Sequence, residues 1–325
     1  MQLAFDLILI FSFSILLIKG TELTILGLKH LAKATGLERF ALTSFLLALA
    51  TSIPELFVGV VAALEGRPGL ALGNVIGSNI ANISLVAGGA VLIGGTIGVV
   101  GEFLKKDIFS VFLAGALPMI LLLDNSLSRV DGLILLFIYG AYNWGILNGR
   151  KRKIGLENEV WLRRFLRHLG KEKAGQSIAS MFLGMALLLF SAEMLVKVAQ
   201  NLALDMKMPV FLIGLFVVAI GTSLPELSFE IGAIRRKQVG MMFGDLLGSV
   251  VANSTLILGI VSLINPIYLT NGLEPYLLAT VFFAAIFALF WYFVRTKRKL
   301  ERWEGVVLIL VYLAFAWLEF RRHGG

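Results

Sequence analysis

Apolar residues occur in runs of about 20 along almost the whole chain, and short polar or basic segments separate the runs. A helix needs about 20 apolar residues to cross the hydrocarbon core of a bilayer. The pattern therefore predicts an all-α polytopic membrane protein with ten transmembrane helices. The predicted spans are residues 3–22, 40–65, 69–96, 105–123, 130–148, 175–203, 209–234, 239–264, 273–294 and 303–320.

Composition agrees with a chain that lies mostly in lipid. Of its 325 residues, 58% are hydrophobic and 15% are charged, whereas soluble domains carry about 25% charged residues. The chain has no cysteine, which excludes disulfides and thiolate ligands, and its three histidines lie in predicted loops or tails. The first 20 residues lack a basic segment and a small-residue cleavage site, so we expect a membrane span there and no cleaved signal peptide.

Basic residues indicate how the chain is oriented. If the N-terminus is placed outside, most of the 29 Lys and Arg residues fall in loops on the inner side of the membrane. Cytoplasmic loops carry this excess in membrane proteins. We therefore expect a multi-pass protein of the cell membrane with both termini outside. The same location explains the net charge of +8 and argues against a nucleic-acid partner.

The longest predicted loop is a basic cytoplasmic linker over residues 149–174. It contains an apolar stripe at helical spacing beside several arginines, which favours a short helix lying at the membrane surface. Three glutamates are its only acidic residues, and they lack the spacing of an EF-hand calcium loop. The apolar residues of this stripe are Trp161, Leu162, Phe165, Leu166 and Leu169.

The chain repeats itself at a fixed offset of 171 residues. FLLALATSIPEL at 45–56 aligns with FVVAIGTSLPEL at 216–227, and GNVIGSNIANISLVAG at 73–88 aligns with GDLLGSVVANSTLILG at 244–259. Each copy holds five predicted spans, so the second copy must enter the membrane from the opposite side. The prediction is two inverted five-helix repeats, an arrangement typical of transporters. The first repeat covers 1–148 with its motif at 45–88, and the second covers 175–325 with its motif at 216–259.

Oxygen-bearing side chains are concentrated inside these motifs. Glu55 and Glu226 lie well within apolar spans, where a carboxylate costs roughly 2.5 kcal/mol or more. Hydroxyl residues and a proline adjoin each glutamate, and the prolines are expected to expose carbonyl oxygens near Ala50 and Gly221. Carboxylate, hydroxyl and carbonyl oxygens are the ligands that hard cations prefer. The neighbouring residues are Thr51, Ser52 and Pro54 in the first copy and Thr222, Ser223 and Pro225 in the second.

A polar stripe follows in each copy at intervals of four residues, so that its members share one helical face. The stripes consist of Asn74, Ser78 and Asn82 and of Asp245, Ser249 and Asn253. The serines and the last asparagines are predicted to bind the cation or to support its site. Asp245 has two interpretations at this point: it attracts cations at the cytoplasmic mouth, or it pairs with Arg235 or Lys237.

The motifs TSIPEL with GSNIAN, and GTSLPEL with GSVVAN, resemble the alpha repeats of the calcium/cation antiporter superfamily, in its sodium/calcium exchanger branch of prokaryotic type. The resemblance covers nearly the whole chain. It implies that Glu55 and Glu226 bridge a calcium ion. The other calcium and sodium ligands that it implies are Asn82, Asn253, Thr51, Ser52, Ser78, Thr222, Ser223, Ser249 and the carbonyls of Ala48 and Ala219.

The chain departs from the family pattern at a few positions. Several microbial relatives have Asp where Asn253 stands here, and the second copy has Val250 where the first has Asn79. The GNxxE-type motif usual in proton/calcium exchangers is absent. Asp245 and Asn74, which also differ between the copies, are accessory candidates.

Charge balance leads to a mechanistic hypothesis. Two carboxylates neutralise one Ca²⁺, whereas three Na⁺ at the same oxygens leave one positive charge, so exchange is expected to be electrogenic. The resemblance implies alternating access in which spans one and six move. The chain is predicted to be a transporter and not an enzyme, with Ca²⁺, Na⁺ and the lipid bilayer as its partners and no cofactor.

Three alternatives stay open at this point. The glutamates could carry protons, which would make the chain an H⁺/Ca²⁺ exchanger or an exchanger of another divalent cation. A passive channel is a second alternative. A remote one is an intramembrane aspartyl protease, because Phe243-Gly244-Asp245 faintly resembles the GxGD motif.

Overall fold

The computed structural model describes residues 2–35, 51–98, 103–154, 172–269, 272–297 and 299–323. Helices dominate these segments and are numbered here in chain order. The first five are α1 (Gln2–Thr35), α2 (Ile53–Leu64), α3 (Pro68–Gly94), α4 (Phe103–Leu121) and α5 (Arg129–Ile154). The others are α6 (Glu172–Asp205), α7 (Val210–Arg235), α8 (Val239–Ile264), α9 (Glu274–Lys297) and α10 (Arg302–His323).

Seven helices of the described segments are long and apolar enough to cross a membrane. They are α1, α3, α6, α7, α8, α9 and α10. Residues 53–64 and 108–124 form shorter apolar helices, and residues 36–50 lie outside the described segments. The predicted helical class is thus confirmed, and the count of ten spans stays a prediction. α5 ends at Ile154 and α6 begins at Glu172, while the predicted linker between them, including the stripe at 161–169, lies mostly outside the described residues.

The bounds of the helices recur at the offset found in the sequence. Ile53–Leu64 corresponds residue for residue to Leu224–Arg235, the second half of α7. α3 and α8 also correspond, and each contains π-helical turns at the same place, Asn82–Val86 in α3 and Ala252–Ile257 in α8. Such turns widen a helix locally and are frequent at functional sites. Equivalent sequences in the two copies therefore adopt equivalent local structure.

Two short antiparallel strand pairs connect the copies. β1 (Ile97–Gly98) follows α3 and pairs with β4 (Lys299–Leu300), which precedes α10. β2 (Ser126–Leu127) precedes α5 and pairs with β3 (Ile267–Tyr268), which follows α8. In both pairs, a strand after the third helix of one copy meets a strand before the fifth helix of the other. The two strand pairs are therefore equivalent: the copy that supplies the strand after its third helix in one pair supplies the strand before its fifth helix in the other.

Helices α3, α7 and α8 form the centre, while α1 and α6 lie at the side. About 78% of the membrane-span residues of α3 are buried, but only 28% of those of α1 and 33% of those of α6. α1 and α6 pack chiefly against each other, and the glycines Gly20 and Gly184 allow their backbones to approach. Exposed apolar side chains such as Phe11 and Phe182 cover their outer faces.

Glycines also bring α3 against α7. A side chain at Gly73 or Gly77 would overlap the main chain of α7 at Phe211 and Leu215, and one at Gly214 would overlap α3. Only residues without a Cβ permit helices to cross at this distance. The close crossing brings the polar stripe of α3 beside the residues that precede Glu226.

Candidate cation site

Each glutamate motif lies where a helix stops and begins again. Ser52 and Ser223 leave the helical conformation, with ψ angles of 9° and 2°, and a new helix begins at the next residue. Pro54 therefore stands in a first turn, where the missing N–H has no helical partner to lose. The prolines mark a new helix start rather than a gap inside a helix. Ala50, one of the two carbonyls that the sequence argument expected to be exposed, lies outside the described residues.

Glu55 and Glu226 occupy the first turns of these new helices. The N-terminal end of a helix carries a partial positive charge, which favours a carboxylate there. Both side chains are buried. Oε2 of Glu55 and both carboxylate oxygens of Glu226 have no hydrogen-bond partner within the described segments. Buried charges of this kind require a counter-ion or a proton.

Threonines of the two copies bind reciprocally across the centre. The Thr51 hydroxyl of the first copy donates to Asp245 of the second at 2.8 Å, and the Thr222 hydroxyl of the second donates to Asn74 of the first at 3.2 Å. These bonds are equivalent under the offset of 171 residues. Each one joins the helix break of one copy to the polar stripe of the other.

The location of Asp245 corrects both sequence interpretations. Asp245 is fully buried beside Thr51, so it does not lie at an open mouth of the protein. Arg235 and Lys237 are exposed, and no ion pair joins either of them to Asp245 in the part of the chain that the structure describes. The residue belongs to the buried centre because the break in the first copy faces the stripe in the second.

The serines of the polar stripes extend the hydroxyl network. Ser78 lies 3.4 Å from both Glu55 Oε1 and the Thr222 hydroxyl. Its counterpart Ser249 lies 3.4 Å from the Thr51 hydroxyl. Ser78 thus links Glu55 to Thr222 of the other copy, and Ser249 adjoins the bond between Thr51 and Asp245.

The asparagines differ in how firmly they are held. Asn253 donates from Nδ2 to Asn79 Oδ1 at 3.2 Å, and Asn79 donates to the Ser254 hydroxyl at 2.6 Å. These hydrogen bonds hold the Asn253 amide nitrogen on Asn79 and leave its Oδ1 without a described partner. Asn82 has neither amide atom paired within the same residues, since the counterpart of Asn79 is the apolar Val250.

The predicted site residues that the structure describes are all buried. Ser52 and Ser223 have hydroxyls without a partner in the described segments. The Ala219 carbonyl accepts the Ser223 N–H at 3.0 Å and the Thr222 hydroxyl at 3.3 Å, while Ala48 lies outside those segments. The buried members are Glu55, Glu226, Asn82, Asn253, Thr51, Ser52, Ser78, Thr222, Ser223, Ser249, Ala219, Asp245 and Asn74.

Sequence reasoning missed two buried polar residues in this region. Asn79 was noted only as a difference between the copies, although it orients Asn253. Glu230, one turn beyond Glu226, is fully buried, and its position inside an apolar span is a signal that could have found it. Among the described residues, no three Asp, Glu or His side chains are close enough to hold a metal ion together. A cation at the centre would therefore need neutral oxygens in addition to carboxylates.

The fold and the centre together define a helical membrane protein with a buried, oxygen-lined region suited to a hard cation. A family model described as sodium/calcium exchanger protein matches residues 5–147 and 176–321. The chain therefore belongs to the sodium/calcium exchanger family. Members of this family are transporters, and no support remains for the protease alternative.

Individual relatives match over nearly their full length. The putative antiporter CaxA of Alkalimonas amylolytica is 30% identical, with 94% of this chain and 96% of that protein covered. The sodium/calcium exchanger MaX1 of Methanosarcina acetivorans is 26% identical, with coverage of 93% and 94%. A structure of the sodium-calcium exchanger NCX_Mj, soaked with Na⁺ and Sr²⁺, matches with a TM-score of 0.63 and 26% identity, covering 96% of this chain and 98% of that one.

Proposed function

We propose that this protein is a secondary active antiporter that exchanges Ca²⁺ for Na⁺ across the cell membrane. The observation that carries the proposal is the pair of buried glutamates, each at a helix start, with oxygens that lack partners among the described residues. Burial of such charges is costly unless a cation or a proton neutralises them. Sodium and calcium are proposed as the exchanged ions because the relatives MaX1 and NCX_Mj are named sodium/calcium exchangers.

Glu55 and Glu226 are the proposed bridging ligands. Calcium takes about six to eight oxygen ligands, so two glutamates must be supplemented by neutral groups. The proposal assigns this role to the Oδ1 of Asn253, which lacks a partner among the described residues, and to the hydroxyls of Ser78 and Ser249, which lie beside Glu55 and Thr51. The remaining proposed ligands for Ca²⁺ or Na⁺ are Asn82, Thr51, Ser52, Thr222, Ser223 and the carbonyls of Ala48 and Ala219.

Sharing of these oxygens explains exchange. Ca²⁺ and Na⁺ compete for the same carboxylates, so that one ion leaves when the other binds. Two carboxylates balance one Ca²⁺, whereas three Na⁺ leave one net positive charge. We therefore infer that three Na⁺ are exchanged for one Ca²⁺ and that each cycle moves one charge.

Alternating access is proposed to involve the peripheral pair α1 and α6. The two helices pack chiefly on each other and are among the least buried of the long spans. Ser14 of α1 lies directly beside Gly221, which adjoins Thr222 at the helix break of α7. Movement of α1 would therefore change the packing around the helix break at Thr222. The framework proposed for this movement is ten spans in two inverted repeats, 1–148 and 175–325, with both termini outside.

Ion flux into vesicles tests the proposal. Purified protein is reconstituted with Na⁺ inside, and uptake of ⁴⁵Ca²⁺ is measured after dilution into Na⁺-free buffer. We expect rapid uptake, and we expect Glu55→Gln or Glu226→Gln to abolish it because either change removes a bridging charge. Glu65→Gln, at an exposed glutamate just after α2, is the matched control. Full uptake by both site variants would refute the assignment.

Two further conditions of the same assay define the counter-ion and the charge balance. Uptake driven by a pH gradient without Na⁺ would indicate an H⁺/Ca²⁺ exchanger, and single-channel currents would indicate a channel. One net charge per cycle corresponds to about 2.3 kcal/mol per 100 mV. A potential of 100 mV should therefore shift the equilibrium Ca²⁺ gradient about 50-fold. A gradient that does not respond to potential would exclude the three-for-one ratio.

A further inference from the structure

Glu230 is a buried carboxylate for which the central site leaves no role. It lies on the second half of α7, four residues after Glu226 and therefore on the same face of the helix. Its side chain is fully buried, and neither carboxylate oxygen has a hydrogen-bond partner in the described segments. An ionised carboxylate in this environment needs a cation beside it.

Only the second copy carries this group. The residue equivalent to Glu230 in the first copy is Gly59, where an added Cβ would touch the apolar side chains of Ile257 and Val261. The corresponding place in the other half is thus packed with hydrocarbon and offers no oxygen. Any function of Glu230 therefore belongs to one side of the pseudosymmetric centre.

Asp245 stands on the same side and is also specific to the second copy. It lies six residues after the start of α8 at Val239, and Glu230 lies five residues before the end of α7 at Arg235, so the two stand at a similar depth where α7 and α8 pack against each other. Oδ1 of Asp245 accepts the Thr51 hydroxyl, which leaves Oδ2 without a partner in the described part of the chain. Three carboxylate oxygens of these two residues are therefore buried and available.

We propose that Glu230 and Asp245 form an accessory Ca²⁺ site, adjacent to the central site and on the side of α7 that leads to Arg235. Two carboxylates balance the charge of one Ca²⁺, and their oxygens are of the kind that a hard cation prefers. The proposal rests on the proposed function, because it takes Glu55 and Glu226 as the separate central site. The accessory site would hold a second ion on one access route only, so binding from the two sides of the membrane would differ.

Equilibrium binding of ⁴⁵Ca²⁺ to the purified full-length protein in detergent, without Na⁺, tests this site. We expect two Ca²⁺ per chain in the wild type and one in Glu230→Gln. Glu65→Gln, the exposed control, should retain both. Retention of the first Ca²⁺ by Glu230→Gln shows that the variant is folded and that its central site is intact.

If Glu230→Gln is not stable, Asp245→Asn serves as the second variant, since the first copy already has Asn74 at the equivalent position. It should also bind a single Ca²⁺. One Ca²⁺ per wild-type chain, or two in both variants, would overturn the proposal and assign Glu230 to a protonated, structural role. Na⁺-driven flux is measured in a separate experiment. A wild-type chain that binds one Ca²⁺ but shows flux would reject only the accessory site, and a chain that shows no flux would reject only the exchange function.

Discussion

Replacing Asn79 with valine tests whether the centre depends on a fixed amide orientation. Valine stands at the equivalent position of the second copy as Val250, so the change makes the copies alike. Asn79 accepts a hydrogen bond from Asn253 and donates one to Ser254. The variant loses both bonds, and the Asn253 amide nitrogen is left without its acceptor.

The expected magnitudes follow from these two bonds. Loss of a neutral hydrogen bond costs about 0.5–1.5 kcal/mol, and a buried donor left unpaired costs about 1–3 kcal/mol. We therefore expect the free energy of unfolding to fall by about 1–3 kcal/mol. Without Asn79, the Asn253 amide is no longer held in the orientation that leaves its Oδ1 unpaired, so Ca²⁺ must fix that orientation when it binds. A cost of about 1 kcal/mol weakens Ca²⁺ binding about fivefold.

The assay is the Ca²⁺ concentration that half-saturates Na⁺-driven uptake, supported by equilibrium binding to the same preparation. Ser254→Ala keeps the bond between Asn79 and Asn253, so it should lower stability while leaving Ca²⁺ affinity close to that of the wild type. Asn201→Val, at an exposed position of α6, controls for the chemical change itself. Wild-type affinity in Asn79→Val, or equal weakening in Ser254→Ala, would refute the orienting role.

Two other predictions concern the helix crossing and the reciprocal threonines. Gly77→Ala should lower the free energy of unfolding by about 1–3 kcal/mol, because the added methyl overlaps the backbone of α7, whereas Gly240→Ala meets no atom and should be neutral. Thermal unfolding in detergent measures the difference, and equal stability of the two variants would contradict the close crossing. Thr51→Val should weaken Ca²⁺ binding more than Thr222→Val, since Thr51 donates to the carboxylate of Asp245 while Thr222 donates to a neutral amide. Half-saturation of uptake compares the two, and a larger effect of Thr222→Val would contradict this order.

Much of the fold follows from local sequence alone. The apolar runs predict where spans lie, and seven of them are confirmed as long apolar helices in the described segments. The 171-residue repeat predicts that equivalent stretches adopt equivalent structure, and the bounds of Ile53–Leu64 and Leu224–Arg235 confirm this. These features are local, because hydropathy and proline act on the residues beside them.

Which residues meet at the centre could not be read in the same way. The repeat relates Thr51 to Thr222 and Asn74 to Asp245, but it does not say whether each threonine binds its own copy or the other. The structure shows the exchanged pairing, which brings Asp245 into the centre and away from the basic residues near it in sequence. Contacts between residues almost 200 positions apart depend on how whole helices cross.

The sequence by itself determined the helical membrane class, the repeat and the glutamates at the core of each motif, because these depend on hydropathy and on residue type within a few turns. Only the tertiary structure decided how the copies differ. Glu230 is buried without a described partner, whereas its counterpart Gly59 is packed against apolar side chains. Asn79 accepts a hydrogen bond from Asn253, whereas its counterpart Val250 has no polar atom to bind Asn82. The physical reason is that burial and hydrogen bonding depend on neighbours from distant segments, and the close crossing of α3 and α7 determines which residues become neighbours.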